Sequence, residues 1–105
     1  MLTLDLVDDP NAIAAYDAHH RSISEEIRDS IRHSGVIAMD IYRFGSRLCM
    51  IMEVNADFTF QKKAEMDQAN VHVQRWEQSM WAFQRSVPGA QPGEKWVVME
   101  QIFSL

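Results

Sequence analysis

The feature that most constrains the fold is a pair of apolar segments in the middle of the chain with only two residues between them. The segments "VIAMDIYRF" (36–44) and "RLCMIMEV" (47–54) flank Gly45 and Ser46. Two apolar segments joined by a short connection that contains glycine predict a β-hairpin. Because both segments are apolar on both faces, we expect a sheet that is covered on each side.

The chain before this hairpin predicts one strand and one helix. Residues 2–7, "LTLDLV", alternate apolar and polar side chains as a half-buried strand does. Pro10 suits the first turn of a helix, and an apolar stripe at helical spacing continues from there to about His33. Gly35 is placed to end this helix in the left-handed conformation. We therefore expect a single helix between the first strand and the hairpin.

The chain after the hairpin predicts a helix in two pieces and a last strand. Asp57 is a candidate cap for a short helix that runs to about Asn70. A second helix then carries apolar residues at spacings of three and four, namely Val73, Trp76, Met80, Phe83 and Val87. The Pro/Gly-containing stretch 87–94 is a loop, and "KWVVMEQIFSL" (95–105) is apolar and β-branched enough for a closing strand.

The predicted order β-α-β-β-α-β is that of a ferredoxin-like α+β domain that includes residues 1–105. This fold has a four-stranded antiparallel sheet with the helices on one face. The other face of the sheet would then be bare although its strands are apolar. A second copy of the same sheet is the simplest cover, so we expect a homodimer joined through the sheet faces, a dimeric α/β barrel.

Composition excludes several classes of function. The formal charge of −5 and the lack of basic runs argue against a nucleic-acid groove and against attraction to an anionic membrane. Cys49 is the single cysteine, and the N-terminus does not resemble a signal peptide or a spanning segment, so we expect a cytoplasmic protein. The four histidines lack the close, convergent spacing of a metal site, and we predict none.

The first candidate for chemistry is His20, which lies where the apolar stripe of the first helix would otherwise carry a leucine. Tyr16 is four residues earlier, so the two side chains are neighbours on one helix face. An imidazole with an ordinary pKa near 6.5 exchanges protons at neutral pH. The alternative is a core histidine that is hydrogen-bonded to the backbone.

Acidic residues inside predicted strands form a second group, namely Asp40, Glu53 and Glu100. A carboxylate in a sheet usually lies at an edge or pairs with a cation, and the functional alternative is that these groups bind a sugar or assist His20. Gln101 points to the face opposite Glu100, so only one of the two can share the site.

The remaining signals are aromatic side chains and absent motifs. Trp76 lies on the core stripe of its helix, where it either packs in the core or stacks on the apolar face of a pyranose ring. The chain has no glycine-rich nucleotide fingerprint, no serine-hydrolase elbow and no zinc-protease motif. Cys49 lies in mid-strand with no base beside it, which predicts a buried, inert thiol. These features leave a small acid/base pocket for an unphosphorylated substrate.

Four segments together resemble the L-rhamnose mutarotase family, and more closely its L-fucose mutarotase branch. They are "YDAHHRSISEEI", "RLCMIMEV", "VQRWEQSMWAFQ" and "WVVMEQIFSL". Their order and spacing carry the resemblance, which extends over nearly the whole chain. It implies a ferredoxin-like domain that dimerises sheet to sheet. It also implies interconversion of the α and β anomers of a 6-deoxy-L-sugar without a metal or an organic cofactor.

The resemblance also implies site residues. The family's tyrosine and histidine on the first helix correspond to Tyr16 and His20, and its first tryptophan corresponds to Trp76. The chain departs from the rhamnose pattern at three places. Ser24 and Glu25 stand where that pattern has a Trp-Pro pair, Met39 where it has a tyrosine, and Glu77 where it has a second tryptophan. The surroundings of the sugar therefore differ from those of a rhamnose enzyme, which favours L-fucose.

These observations predict a mechanism for ring opening and closure. His20 is the principal proton donor and acceptor, Tyr16 orients the sugar or the imidazole, and Glu100 is the complementary acceptor. The predicted sugar contacts are Trp76, Met39, Asp40 and Gln101. Two alternatives stay open, because dimers of this topology also include small monooxygenases and haem-degrading proteins, and others bind ligands as sensors.

Overall fold

The computed structural model describes all residues, 1–105. The elements in chain order are β1 (Leu2–Leu6), α1 (Pro10–Arg21), α2 (Glu25–His33), β2 (Val36–Phe44), β3 (Arg47–Val54), α3 (Phe60–Gln68), α4 (Val71–Met80), β4 (Gln84–Arg85) and β5 (Val97–Val98). The predicted hairpin is confirmed as β2 and β3, which pair antiparallel from Val36 opposite Val54 to Phe44 opposite Arg47.

The antiparallel sheet has the strand order β2-β3-β1-β4. β5 also pairs with β1, through Leu2 opposite Val98 and Thr3 opposite Val97. β4 pairs further along β1, at Asp5 and Leu6. The last two strands therefore share one edge of β1, and the predicted ferredoxin-like α+β topology is confirmed.

The core lies between the sheet and the helices. Leu2, Leu4 and Leu6 alternate along β1 and are buried, as the sequence pattern predicts. One cluster joins the two layers and consists of Leu4, Leu6, Tyr16, Leu48 and Met80. Because Tyr16 belongs to this cluster, α1 is held firmly against the sheet at the turn that carries His20.

The prediction of one continuous helix up to His33 is wrong, because the chain breaks between α1 and α2. The backbone N–H of Ser22 donates to the carbonyl of His19, and Ser24 is extended with φ −67° and ψ 155°. Serine is favoured at helix ends, and Ser22 and Ser24 occupy the C-cap of α1 and the N-cap of α2, although the Ser24 side chain makes no capping hydrogen bond. Gly35 ends α2 with a φ of 100°, as predicted.

The bounds of the later helices also differ from the prediction. α3 begins at Phe60 because the hydroxyl of Thr59 accepts from the Lys62 N–H at 3.1 Å. The predicted cap Asp57 instead donates its backbone N–H to the Asn55 side chain.

The end of α4 differs for a tertiary reason. This helix stops at Met80 rather than continuing to Val87, and Gln84 pairs with Leu6 in the sheet. Sheet pairing therefore overrides the helical spacing of Phe83 and Val87.

The closing strand is much shorter than predicted. Only Val97–Val98 pairs with β1, while residues 99–105 are exposed and belong to no strand. Ile102 and Phe103 are 91% and 76% exposed. These apolar side chains have no surface to pack on within one chain.

The sheet has one covered face and one free face. The strand pairing places Tyr42, Phe44 and Ile51 on the face away from the helices, where all three are exposed. The same free face carries an ion pair between Asp5 and Arg47. None of the four helices reaches the length and apolar character of a helix that crosses a bilayer.

Candidate active site

A cavity of about 310 Å³ lies between the helices and the covered face of the sheet, and we call it the main cavity. Most of its wall is apolar. Its polar side chains are Tyr16, His20, Ser30, Lys63, Asp67, Glu77, Gln84 and Lys95. Ligand sites in proteins combine an apolar wall with a few polar groups in this way.

His20 is held in one orientation by a backbone contact. Its Nδ1 lies 2.9 Å from the carbonyl oxygen of Tyr16, one turn earlier on α1. Because a carbonyl only accepts, Nδ1 carries the proton and Nε2 keeps a free lone pair. Burial lowers the pKa of His20 from its ordinary 6.5, and the hydrogen bond to Tyr16 opposes this shift. The ring is therefore neutral at pH 7 and able to accept a proton.

Two aromatic rings pack against the imidazole. The Tyr16 ring is centred 4.3 Å from the His20 ring, and Trp76 meets His20 edge-on with ring centres 5.3 Å apart. Both aromatic residues line the main cavity. His20 is therefore packed against aromatic rings and hydrogen-bonded to the backbone, and it also borders a cavity.

The phenol of Tyr16 remains protonated at neutral pH. Burial raises its pKa to about 12, with a smaller opposing effect from the amide of Gln84. Gln84 is only 4% exposed, and its Oε1 has no hydrogen-bond partner. Buried polar atoms normally have such a partner, so the amide of Gln84 is available to a ligand hydroxyl.

Charged residues on α3 and in the final loop complete the main cavity. Lys63 Nζ lies 2.6 Å from Asp67 Oδ2, so these two side chains neutralise each other. Lys95 Nζ lies 4.6 Å from the centre of the Trp81 ring. Burial lowers the pKa of Lys95, and the nearby Glu77 opposes this shift.

Sequence reasoning missed most of these charged residues. Glu77 was noted only as a departure from the rhamnose pattern. Lys63 and Asp67 have the i, i+4 spacing of an ordinary exposed helix pair, and Lys95 follows a Pro/Gly loop. Only the tertiary fold brings them to the cavity that His20 also lines.

The predicted site residues divide into two groups. Tyr16, His20, Trp76 and Met39 all line the main cavity. Asp40 does not, because it points to the free face of the sheet opposite Ile51. Glu100 and Gln101 follow β5, are exposed, and do not line this cavity either. No group of three or more His, Cys, Asp or Glu side chains is arranged to hold a metal ion.

A second cavity of about 350 Å³ adjoins the first beside β2. The two cavities share His20, Ile23, Ile31, Met39 and Ile41. Ile23 lies in the break between α1 and α2, so the unexpected interruption of the helix forms part of this shared wall.

A ferredoxin-like domain whose helices and sheet enclose a histidine with a free nitrogen defines a small α+β protein suited to acid/base chemistry. Comparison with known proteins gives the family. A sequence model of the L-rhamnose mutarotase family matches residues 1–105. The chain belongs to this family, and the resemblance noted in the sequence is confirmed. It is an enzyme that isomerises carbohydrates by interconverting sugar anomers.

The chain is also similar to individual proteins and to one solved structure. An L-fucose mutarotase from Xanthomonas campestris pv. campestris is 40% identical over 104 residues, which cover 97% of this chain and 83% of that protein. A UPF0734 protein from Dictyostelium discoideum is 33% identical over 109 residues, covering 97% and 85%. The crystal structure of an L-rhamnose mutarotase from Formosa agariphila has a TM-score of 0.71 at 17% identity, covering 99% of this chain and 94% of that one.

Proposed function

We propose that this enzyme interconverts the α and β anomers of a 6-deoxy-L-sugar and that L-fucose is its substrate. The observation that carries the proposal is His20, a neutral imidazole that lines the main cavity with Nε2 free. The choice of L-fucose is supported by the relative that is 40% identical and by Met39 and Glu77, which depart from the rhamnose pattern and line the same cavity.

Mutarotation opens a pyranose ring and recloses it after the aldehyde has rotated. Opening removes a proton from the anomeric hydroxyl and delivers one to the ring oxygen. Nε2 of His20 takes the first proton and returns it on closure. General acid or base catalysis of this kind contributes about 10²–10⁴-fold per group.

The other cavity residues bind and orient the sugar. The Tyr16 phenol donates a hydrogen bond, the Gln84 amide takes up a sugar hydroxyl, and Trp76 packs against the ring. An apolar wall that includes Ile27 and Met39 accommodates the methyl group of a 6-deoxy sugar without burying a hydroxyl unpaired. Asp40, Glu100 and Gln101 have no part in this scheme, because they lie outside the cavity of their own chain.

The test is anomer exchange measured by saturation-transfer NMR on L-fucose, L-rhamnose and D-galactose. We expect acceleration over the uncatalysed rate, greatest with L-fucose. His20→Ala should reduce the enzymatic exchange by about 10²-fold or more. His33→Ala is the matched control, because His33 is exposed and lines neither cavity. A folded His20→Ala protein that exchanges at the wild-type rate contradicts the proposal, and binding without acceleration indicates a sensor instead.

We also propose that the enzyme is a cytoplasmic homodimer joined through the free face of the sheet. Tyr42 is 60% exposed and Phe44 91% exposed on that face. Exposed apolar side chains grouped in this way are typical of protein interfaces. Cys49 on the same face is a free thiol, which suits a reducing compartment.

A further inference from the structure

We propose that Lys95 is the second catalytic residue, the general acid that gives the ring oxygen its proton while His20 acts on the anomeric hydroxyl. This inference rests on the proposed mutarotase function. It replaces the sequence prediction that Glu100 completes the pair. His20 and Lys95 are 75 positions apart in sequence, and the fold brings both to the main cavity.

Lys95 is the cavity cation that is free to act on a ligand. Two lysines and no arginine line the main cavity. Lys63 is engaged by Asp67 at 2.6 Å, whereas none of the five ion pairs in the structure includes Lys95. Lys95 also donates no hydrogen bond to another residue, and its Nζ lies over the Trp81 ring, 4.6 Å from the ring centre. An ammonium group without a hydrogen-bond acceptor, on a residue that lines the cavity, has its protons available to a sugar oxygen.

The backbone of Lys95 is anchored on both sides. Before it, the hydroxyl of Ser86 donates to the carbonyl of Glu94 at 2.8 Å, and the backbone N–H of Gln91 donates to Glu94 Oε1 at 3.0 Å. After it, Trp96 packs against the core cluster and leads into β5. The Pro/Gly loop therefore holds Lys95 in a fixed place, which a proton-transfer group requires.

The surroundings of Lys95 shift its pKa in the direction that a general acid requires. Burial lowers its pKa from the ordinary 10.5, which makes the ammonium a stronger acid, and the nearby Glu77 opposes this shift. The groups that face Lys95 are Glu77 on α4 and the Trp81 ring. Burial lowers the pKa of His20 as well, so one group is a neutral base where the other is a charged acid.

The proposed ring opening transfers two protons. Nε2 of His20 takes the proton from the anomeric oxygen, and Nζ of Lys95 gives a proton to the ring oxygen. The bond between C1 and the ring oxygen breaks with its electron pair on that oxygen, and a carbonyl forms at C1. After rotation about the C1–C2 bond, the hydroxyl formed from the ring oxygen attacks the other face of the carbonyl. Lys95 then recovers its proton from the ring oxygen, and His20 returns its proton to the anomeric oxygen.

The experiment compares Lys95→Gln and Lys95→Arg with the matched control Lys62→Gln. Lys62 is an exposed lysine on α3 that does not line the cavity. kcat and KM for L-fucose anomer exchange are measured across pH on proteins shown to be folded by circular dichroism. We expect Lys95→Gln to lower kcat by about 10²-fold or more and to abolish the decline in rate on the alkaline side. Lys95→Arg should also be slow, because a guanidinium group does not release its proton.

The outcomes separate this inference from the function on which it rests. A wild-type enzyme that does not accelerate exchange with any of the sugars overturns both. If the wild type is active, then normal kcat in Lys95→Gln, or an effect on KM alone, overturns only the role of Lys95. Retention of the alkaline decline in Lys95→Gln likewise overturns it.

Discussion

At the scale of single residues, two contacts on its own helix fix the orientation of the His20 imidazole. Nδ1 is committed to the Tyr16 carbonyl, and the Tyr16 ring packs on the imidazole. The spacing of four residues on one helix produces both contacts. The same spacing made the pair recognisable from the sequence, because neighbours at i and i+4 always share a face.

The pH dependence of the rate reports the environment of His20. Its neutral form accepts the proton, and burial places its pKa below 6.5. We expect kcat/KM, after subtraction of the uncatalysed rate, to decline in acidic solution with a midpoint below pH 6.5. An exposed imidazole would already have lost half of its activity at its ordinary pKa. A midpoint at or above 6.5 contradicts this assignment.

Tyr16 gives a second prediction, on stability. Its pKa is raised from 10.0 to about 12 in the folded protein. In the alkaline range the unfolded tyrosine releases its proton before the folded one does, so stability is complete below pH 10 and is lost as the pH rises toward 12. Over this pH range the free energy of unfolding of the wild type should fall by on the order of 2 kcal/mol from this residue, and Tyr16→Phe should not show this decline. Urea unfolding of both proteins across this range is the measurement, and parallel pH profiles would refute it.

The rest of the site was not predictable from local patterns. Glu77 and Lys95 are ordinary polar positions in sequence, and their meeting depends on the end of α4 at Met80 and on the path of the final loop. Glu100 was assigned on the assumption of a long closing strand. With pairing limited to Val97–Val98, that carboxylate lies beyond the sheet. Local periodicity therefore identified residues that share one helix but not those that converge from different elements.

At the scale of elements, the spacing of hydrophobic residues predicts whether a segment is a helix or a strand better than it predicts how long that segment is. Every predicted strand and helix begins near its expected place, because alternation and the 3.6-residue stripe reflect burial directly. The break at residues 22–24 was missed because the apolar stripe continues across it to Ile23 and Ile27. The end of α4 was missed because Phe83 keeps helical spacing although Gln84 joins the sheet.

The cap of α4 gives a prediction at this scale. The side-chain oxygen of Asn70 accepts from the backbone N–H groups of His72 at 2.9 Å and Val73 at 3.3 Å. Asn70→Ala removes both contacts and should lower the free energy of unfolding by about 1 kcal/mol. Asn70→Asp keeps the acceptor and is the matched control. Chemical denaturation provides the measurement, and equal loss in the two variants would show that the cap has no such role.

At the scale of the whole molecule, the covered face of the sheet holds the site and the free face remains unoccupied by the chain itself. The helices enclose the main cavity on one side, whereas Tyr42, Phe44 and Ile51 are exposed on the other. The expectation of an apolar free face is thus met in part, because Asp5 and Arg47 form an ion pair among these apolar groups. Interfaces between identical chains combine an apolar core with a polar rim.

The final prediction tests whether that face joins two copies. Phe44→Glu places a charge at the most exposed aromatic position of the free face and should convert a dimer into a monomer, because an unpaired carboxylate is costly to bury. Ala18→Glu is the control, since it adds the same charge at an exposed position of α1 on the helix layer. Light scattering coupled to gel filtration should give twice the chain mass for the wild type and Ala18→Glu, and the single chain mass for Phe44→Glu. A monomeric wild type at micromolar concentration, or dissociation by both substitutions, would rule out this interface.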